Sequence, residues 1–107
     1  MQHHLGPNVP LIGIEGGRAK LSTPALTLDL ASAQKNIQAM MGHCQRTNQS
    51  LRPHAKSHKA SAIAQRQVEA GALGICCATI REAETMVDNG IPGVLITSPI
   101  TSEAKID

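Results

Sequence analysis

Reactive side chains crowd into one stretch of this sequence, Arg52-Pro53-His54-Ala55-Lys56-Ser57-His58-Lys59. In an extended segment residues two apart share a face, so Arg52, His54 and Lys56 would point the same way. Lys56 would then stand at the C-terminal end of a strand, the edge where α/β folds bind ligands. A lysine attacks an aldehyde only as the neutral amine, and neighbouring cations favour that form. Arg52, Lys59 and any protonated His54 or His58 would act on Lys56 in that sense. The same charges would favour an anionic phosphate. A plainer arrangement stands beside this one, in which His54, His58 and Lys59 decorate a solvated strand–helix junction.

Other candidates point to structure. His54 and His58 are four apart, the spacing of a helical metal site, but a strand-to-helix boundary falls between them and no nearby Cys, Asp or Glu completes a ligand set. No metal ligand is therefore expected within the chain. Cys76 and Cys77 sit in an apolar run and read as inert buried thiols. Met40, Met41 and Met86 fit helical core faces. Neither Gly16-Gly17 nor Gly71 with Gly74 forms a nucleotide-binding loop.

The elements that must position Lys56 follow from periodicity. Residues 1–21 carry Pro7, Pro10, Gly13, Gly16 and Gly17 without a sustained pattern, an irregular lead-in. Leu26, Leu28 and Leu30 alternate as a strand requires, and from Ser32, a plausible N-cap, the period becomes helical through Ala33, Ile37, Met40, Met41 and Cys44. Residues 51–56 read as a short strand whose Pro53 suits a sheet edge. A helix is expected from about Ser57 to Ala70, stopped by Gly71. Gly74 to Ala78 reads as a strand buried on both faces. Thr79-Ile80-Arg81-Glu82 forms a capping box for a third helix running to about Asp88 and stopping at Asn89-Gly90. Val94 to Thr97 reads as another buried strand, and Thr101 to Lys105 as the opening of a fourth helix. This β-α-β-α-β-α-β order predicts a parallel α/β sheet. A complete eightfold barrel needs about 250 residues, so in a barrel this would be a truncated part.

The 107 residues contain no Phe, Tyr or Trp. Aromatic side chains bury about 150–250 Å² each, so aliphatic residues alone must build a weakly stabilised core. Ten Lys and Arg against eight Asp and Glu leave a net charge of +2, too mild to argue for nucleic acid. No apolar run approaches the ~18 residues that cross a bilayer, and Met1-Gln2-His3-His4 does not open a secretion signal. Three cysteines, Cys44, Cys76 and Cys77, include no CxxC pair and fit reduced thiols in the cytoplasm.

Taken in order, Thr23-Pro24-Ala25-Leu26-Thr27-Leu28-Asp29-Leu30, Asn36-Ile37, the Arg52 to Lys59 run, Gly74-Ile75-Cys76-Cys77 and Arg81-Glu82-Ala83-Glu84 resemble the opening of the D-threonine aldolase / D-serine dehydratase family. Gly90-Ile91, Val94 to Thr97 and Ala104-Lys105-Ile106 continue the match, which covers roughly residues 22–107. The resemblance implies the N-terminal part of an alanine-racemase-like (β/α)8 barrel that binds pyridoxal 5′-phosphate (PLP), with Lys56 as the Schiff-base lysine. It implies a lyase that cleaves or dehydrates small D-3-hydroxy amino acids. A divalent metal belongs to the full-length family, held by a histidine with a cysteine or aspartate near the C-terminus, beyond the part matched here. The later loops for the PLP phosphate are expected to be missing too, so little lyase activity is expected from this chain alone, and its open sheet edge predicts self-association or a homodimer. Where aldolase-type relatives have Gln-Lys after the paired cysteines, Ala78-Thr79 stands here, leaving the branch open. A PLP-carrier protein of the same barrel fold and a non-catalytic remnant are the alternatives.

Overall fold

The computed structural model describes residues 6–106. Three α-helices alternate with short parallel strand segments: α1 (Leu30–Arg46), α2 (Ser61–Glu69), β1 (Cys76–Cys77), α3 (Ile80–Asp88) and β2 (Leu95–Ile96). β1 and β2 pair in parallel, with Cys76 opposite Leu95 and Cys77 opposite Ile96. On the other side of β1, residues 51–54 run alongside through a parallel bridge between His54 and Cys76. The Leu73 N–H donates to the Leu51 carbonyl at 2.9 Å and the Cys76 N–H to the Pro53 carbonyl at 2.7 Å. Pro53 lies on an outer segment of this array, where its missing N–H leaves no ladder bond unmade.

The small sheet and its helices share one core. Ile75 and Cys77 from the sheet are buried with Ala55, Ala64, Ala83, Met86 and Ile91, and Val68, Val94 and Ile96 pack against them. Alanines let the helices approach the sheet closely, and no aromatic ring is needed to fill the space. The radius of gyration is 16.6 Å, against about 13 Å for a compact domain of this length, and the extents of 45 × 42 × 21 Å describe a flattened body.

Several elements depart from the expectations of periodicity. Leu26 and Leu28 alternate, yet among the described residues no partner strand meets them. Leu26 is fully exposed, with a relative accessibility of 105%. Alternation assigns faces, but a strand needs a neighbour to satisfy its backbone. Helix α1 starts two residues before Ser32, because the Asp29 carboxylate accepts the Ser32 N–H at 2.9 Å and is itself the N-cap. The segment expected as a strand through Lys56 ends at His54, and residues 55–57 form a 3-10 turn. That turn and a left-handed Lys59 (φ 50°) delay α2 to Ser61. β2 is an outer strand, with Leu95 46% exposed, so it is not buried on both faces. The last expected helix is a 3-10 turn over Glu103–Lys105. Of the irregular lead-in, residues 1–5 lie outside the described residues; the rest forms 3-10 turns at Gly6–Leu11 and Gly17–Lys20.

Candidate active site

The C-terminal ends of the three parallel segments bring His54, the turn bearing Lys56, Cys77 and Thr97 to one edge of the sheet. Lys56 follows directly on the 51–54 segment. Its backbone N–H donates to His54 Nδ1 at 3.2 Å. Across the sheet, His54 Nε2 lies 3.0 Å from Thr97 Oγ1. The Thr97 hydroxyl lies 3.2 Å from the Cys77 carbonyl, its acceptor. That carbonyl also accepts the Thr97 N–H at 2.9 Å, using both of its lone pairs.

The cations of the motif do not all gather round Lys56. Lys59 Nζ is 2.8 Å from Glu82 Oε1, with its side chain 67% exposed and that of Glu82 11% exposed. The other oxygen of Glu82 accepts the Ala78 N–H at 2.9 Å, while the Glu82 N–H donates to Thr79 Oγ1 at 3.2 Å. The Thr79 half of the expected capping box is thus built, while the Glu82 carboxylate takes the N–H of Ala78, one residue before the cap, and ties the end of β1 to the loop after Lys56. The Lys59 ammonium, then the Ala78 N–H, holds the Glu82 carboxyl below its ordinary value. Lys59 is therefore neutralised by a carboxylate, a correction to its expected action on Lys56. Among the described residues Lys56 Nζ makes no hydrogen bond or ion pair, and the side chain is exposed.

His58 turns inward. Its Nδ1 accepts the Ala60 N–H at 3.1 Å, holding the residue that precedes α2, which has no side-chain cap of its own. Burial depresses the His58 pKa, partly offset by the Gln67 side chain. His58 Nε2 and Gln67 Oε1 are both buried outside regular hydrogen-bond geometry, a donor and an acceptor that complement each other. His54 and His58 thus serve separate local structures. Among the described residues no three His, Cys, Asp or Glu side chains gather where a metal ion could sit. Burial, followed by the nearby Glu82 and Cys76, pushes the Cys77 thiol up, in keeping with an inert core cysteine. Cys76 Sγ donates to the Arg52 carbonyl at 3.4 Å, and Arg52 Nε is buried with no partner among the described residues.

Sequence reasoning singled out the stretch carrying His54 and Lys56 but not Thr97, which the structure brings to His54 from 43 residues away. The only available signal was its position after an apolar strand, level with the motif once three parallel strands are aligned.

The family model for the alanine racemase N-terminal domain matches residues 28–107. A D-threonine aldolase of Arthrobacter sp. is 43% identical over 88 residues, 82% of this chain and 23% of that protein. The crystal structure of D-threonine aldolase from Filomicrobium marinum matches with a TM-score of 0.80 and 49% identity, covering 82% of this chain and 24% of that one. D-threo-3-hydroxyaspartate dehydratase from Delftia sp. HT23 matches with a TM-score of 0.73 and 36% identity, covering 76% of this chain and 21% of that one. This chain spans about a quarter of the length of these relatives.

Proposed function

The chain belongs to the alanine racemase N-terminal domain family, and from that premise we propose that it supplies the cofactor-holding lysine, Lys56, of a PLP-dependent lyase for D-3-hydroxy amino acids. In this reading residues 22–107 are the early units of a (β/α)8 barrel and residues 1–21 lead into it. The relatives' names specify D-threonine and D-threo-3-hydroxyaspartate, two D-amino acids bearing a hydroxyl at C3. Cleavage between Cα and Cβ and loss of the hydroxyl both require a carbanion at Cα. PLP, when bound, supplies the electron sink for that charge.

The residues fit the aldehyde end of that cofactor. A primary amine must be accessible and free of a carboxylate partner, and among the described residues Lys56 is both. Its neighbour three residues on is engaged by Glu82, so the run contains one free lysine and one tethered lysine. This contrast carries the proposal. His54 holds the backbone of the turn, and the Lys59–Glu82 pair anchors the loop's far end, leaving the exposed Lys56 side chain as the group to react. A cradle for the phosphate is not among five surface cavities of about 230–460 Å³, none of which Lys56 lines. Three cysteines kept as thiols accord with a reducing, cytoplasmic setting.

A PLP titration followed by visible absorbance tests the assignment. Wild type and Lys59→Ala should develop the same band, and Lys56→Ala should lose it. Retention in Lys56→Ala, or loss only in Lys59→Ala, overturns the reading.

A further inference from the structure

We infer that His54 and Thr97 are positioning residues for Lys56: a hydroxyl on the third strand fixes the imidazole that holds the amine's turn. The inference rests on the reading of Lys56 as the cofactor-holding lysine and adds two residues that act through it. It follows from counting hydrogens. The Thr97 hydroxyl has one proton, committed to the Cys77 carbonyl at 3.2 Å. Towards His54, 3.0 Å away, it can then only accept, so Nε2 carries the ring hydrogen. Nδ1 is left as a bare lone pair, the form needed to accept the Lys56 N–H at 3.2 Å. The opposite tautomer would set an Nδ1–H against that N–H, and its bare Nε2 would be satisfied only if the Thr97 hydroxyl gave up the Cys77 carbonyl.

One hydrogen-bonded chain thus crosses all three parallel segments, from the Cys77 carbonyl through Thr97 and His54 to the first N–H of the turn. His54 is also the N-cap of that turn, so its ring sets where the backbone leaves the sheet and where the Lys56 side chain emerges. The alignment depends on register: His54 lies opposite Cys76, and Cys77 opposite Ile96, which puts Thr97 one step beyond the paired strands. Displacing an attacking group by about 1 Å lowers a reaction rate roughly a hundredfold, so a lost brace is kinetically visible even where the fold survives.

The test uses the full chain as wild type, Thr97→Val, which keeps shape without the hydroxyl, and Thr97→Ser, which restores it. Imidazole ¹⁵N shifts should report an Nε2–H tautomer for His54 in wild type and Thr97→Ser, and a mixture in Thr97→Val. The Lys56-dependent rate of PLP adduct formation, taken as the difference from Lys56→Ala, should fall about ten- to a hundredfold in Thr97→Val and recover in Thr97→Ser. Amide resonances of α1 unchanged between variants exclude unfolding as the cause, and Thr97→Ala repeats the comparison if Thr97→Val does not fold. A wild-type tautomer or an unchanged rate in Thr97→Val overturns the positioning role while leaving Lys56 as the cofactor lysine. No Lys56-dependent rate in wild type overturns both.

Discussion

Replacing Gly74 by alanine should unfold this protein at a markedly lower temperature, for a reason visible in two backbones. Gly74 is buried at φ +155°, and a Cβ there would fall onto the Gly93 carbonyl and within 2.7 Å of Gly93 Cα. Both obstacles are main chain, so no side chain can rotate away. The strands would have to separate just before the Leu95 N–H to Ile75 and Thr97 N–H to Cys77 bonds, each 2.9 Å. Forced overpacking costs about 1–3 kcal/mol and each of the two weakened hydrogen bonds about 0.5–1.5 kcal/mol, together roughly 2–6 kcal/mol. Total stabilities of about 5–15 kcal/mol are usual, and a core without aromatic rings sits toward the lower end. The melting temperature followed by far-ultraviolet circular dichroism should therefore drop by at least about 8 °C. Gly90→Ala is the control: it shares a left-handed backbone, φ +76°, but has nothing within 4 Å of the added carbon. It should lose only the backbone term of about 1–2 kcal/mol. A Gly74→Ala melting point within about 3 °C of wild type, or a larger loss in Gly90→Ala, would refute the close-approach account.

Met86→Ala should destabilise by about 2–5 kcal/mol in urea titrations, since the side chain is 1% exposed at the centre of the core. Lys56→Ala should leave the unfolding midpoint within about 0.5 kcal/mol of wild type, because the side chain is exposed and has no polar partner among the described residues. Glu82 should contribute to acid sensitivity. Its folded pKa is depressed below the ordinary 4.5, so its contribution is complete above that pH and is lost as pH falls through the folded value. Stability measured from pH 6 downward should therefore fall less steeply in Glu82→Gln than in wild type, with Asp29, also depressed chiefly by the Ser32 N–H, accounting for part of the slope that remains.

Local chemistry was the legible part of this sequence. Thr79, Glu82 and the Asn89-Gly90 stop fixed α3 to the residue, because caps act over three or four positions. Helix α1 was legible as a helix but not in its start, since Asp29 and Ser32 are both good caps and only the backbone decides between them. Hydrophobic runs located the strands but not their place in the sheet. Val94 to Thr97 has the composition of a central strand, yet Leu95 is on the outside, and Leu26 to Leu30 alternates without a partner. At the site, the Arg52 to Lys59 run marked the reactive stretch. The engagement of Lys59 by Glu82 and of His54 by Thr97 depends on separations of 23 and 43 residues, which local pattern does not encode.

The central claim concerns a single side-chain nitrogen. Incubation with PLP, reduction with borohydride and peptide mapping by mass spectrometry tests it most directly. The phosphopyridoxyl mass should appear on the peptide carrying Lys56, with Lys59 spared while Glu82 holds it. A label spread over Lys20, Lys35, Lys59 and Lys105 with no preference for Lys56 would contradict the account.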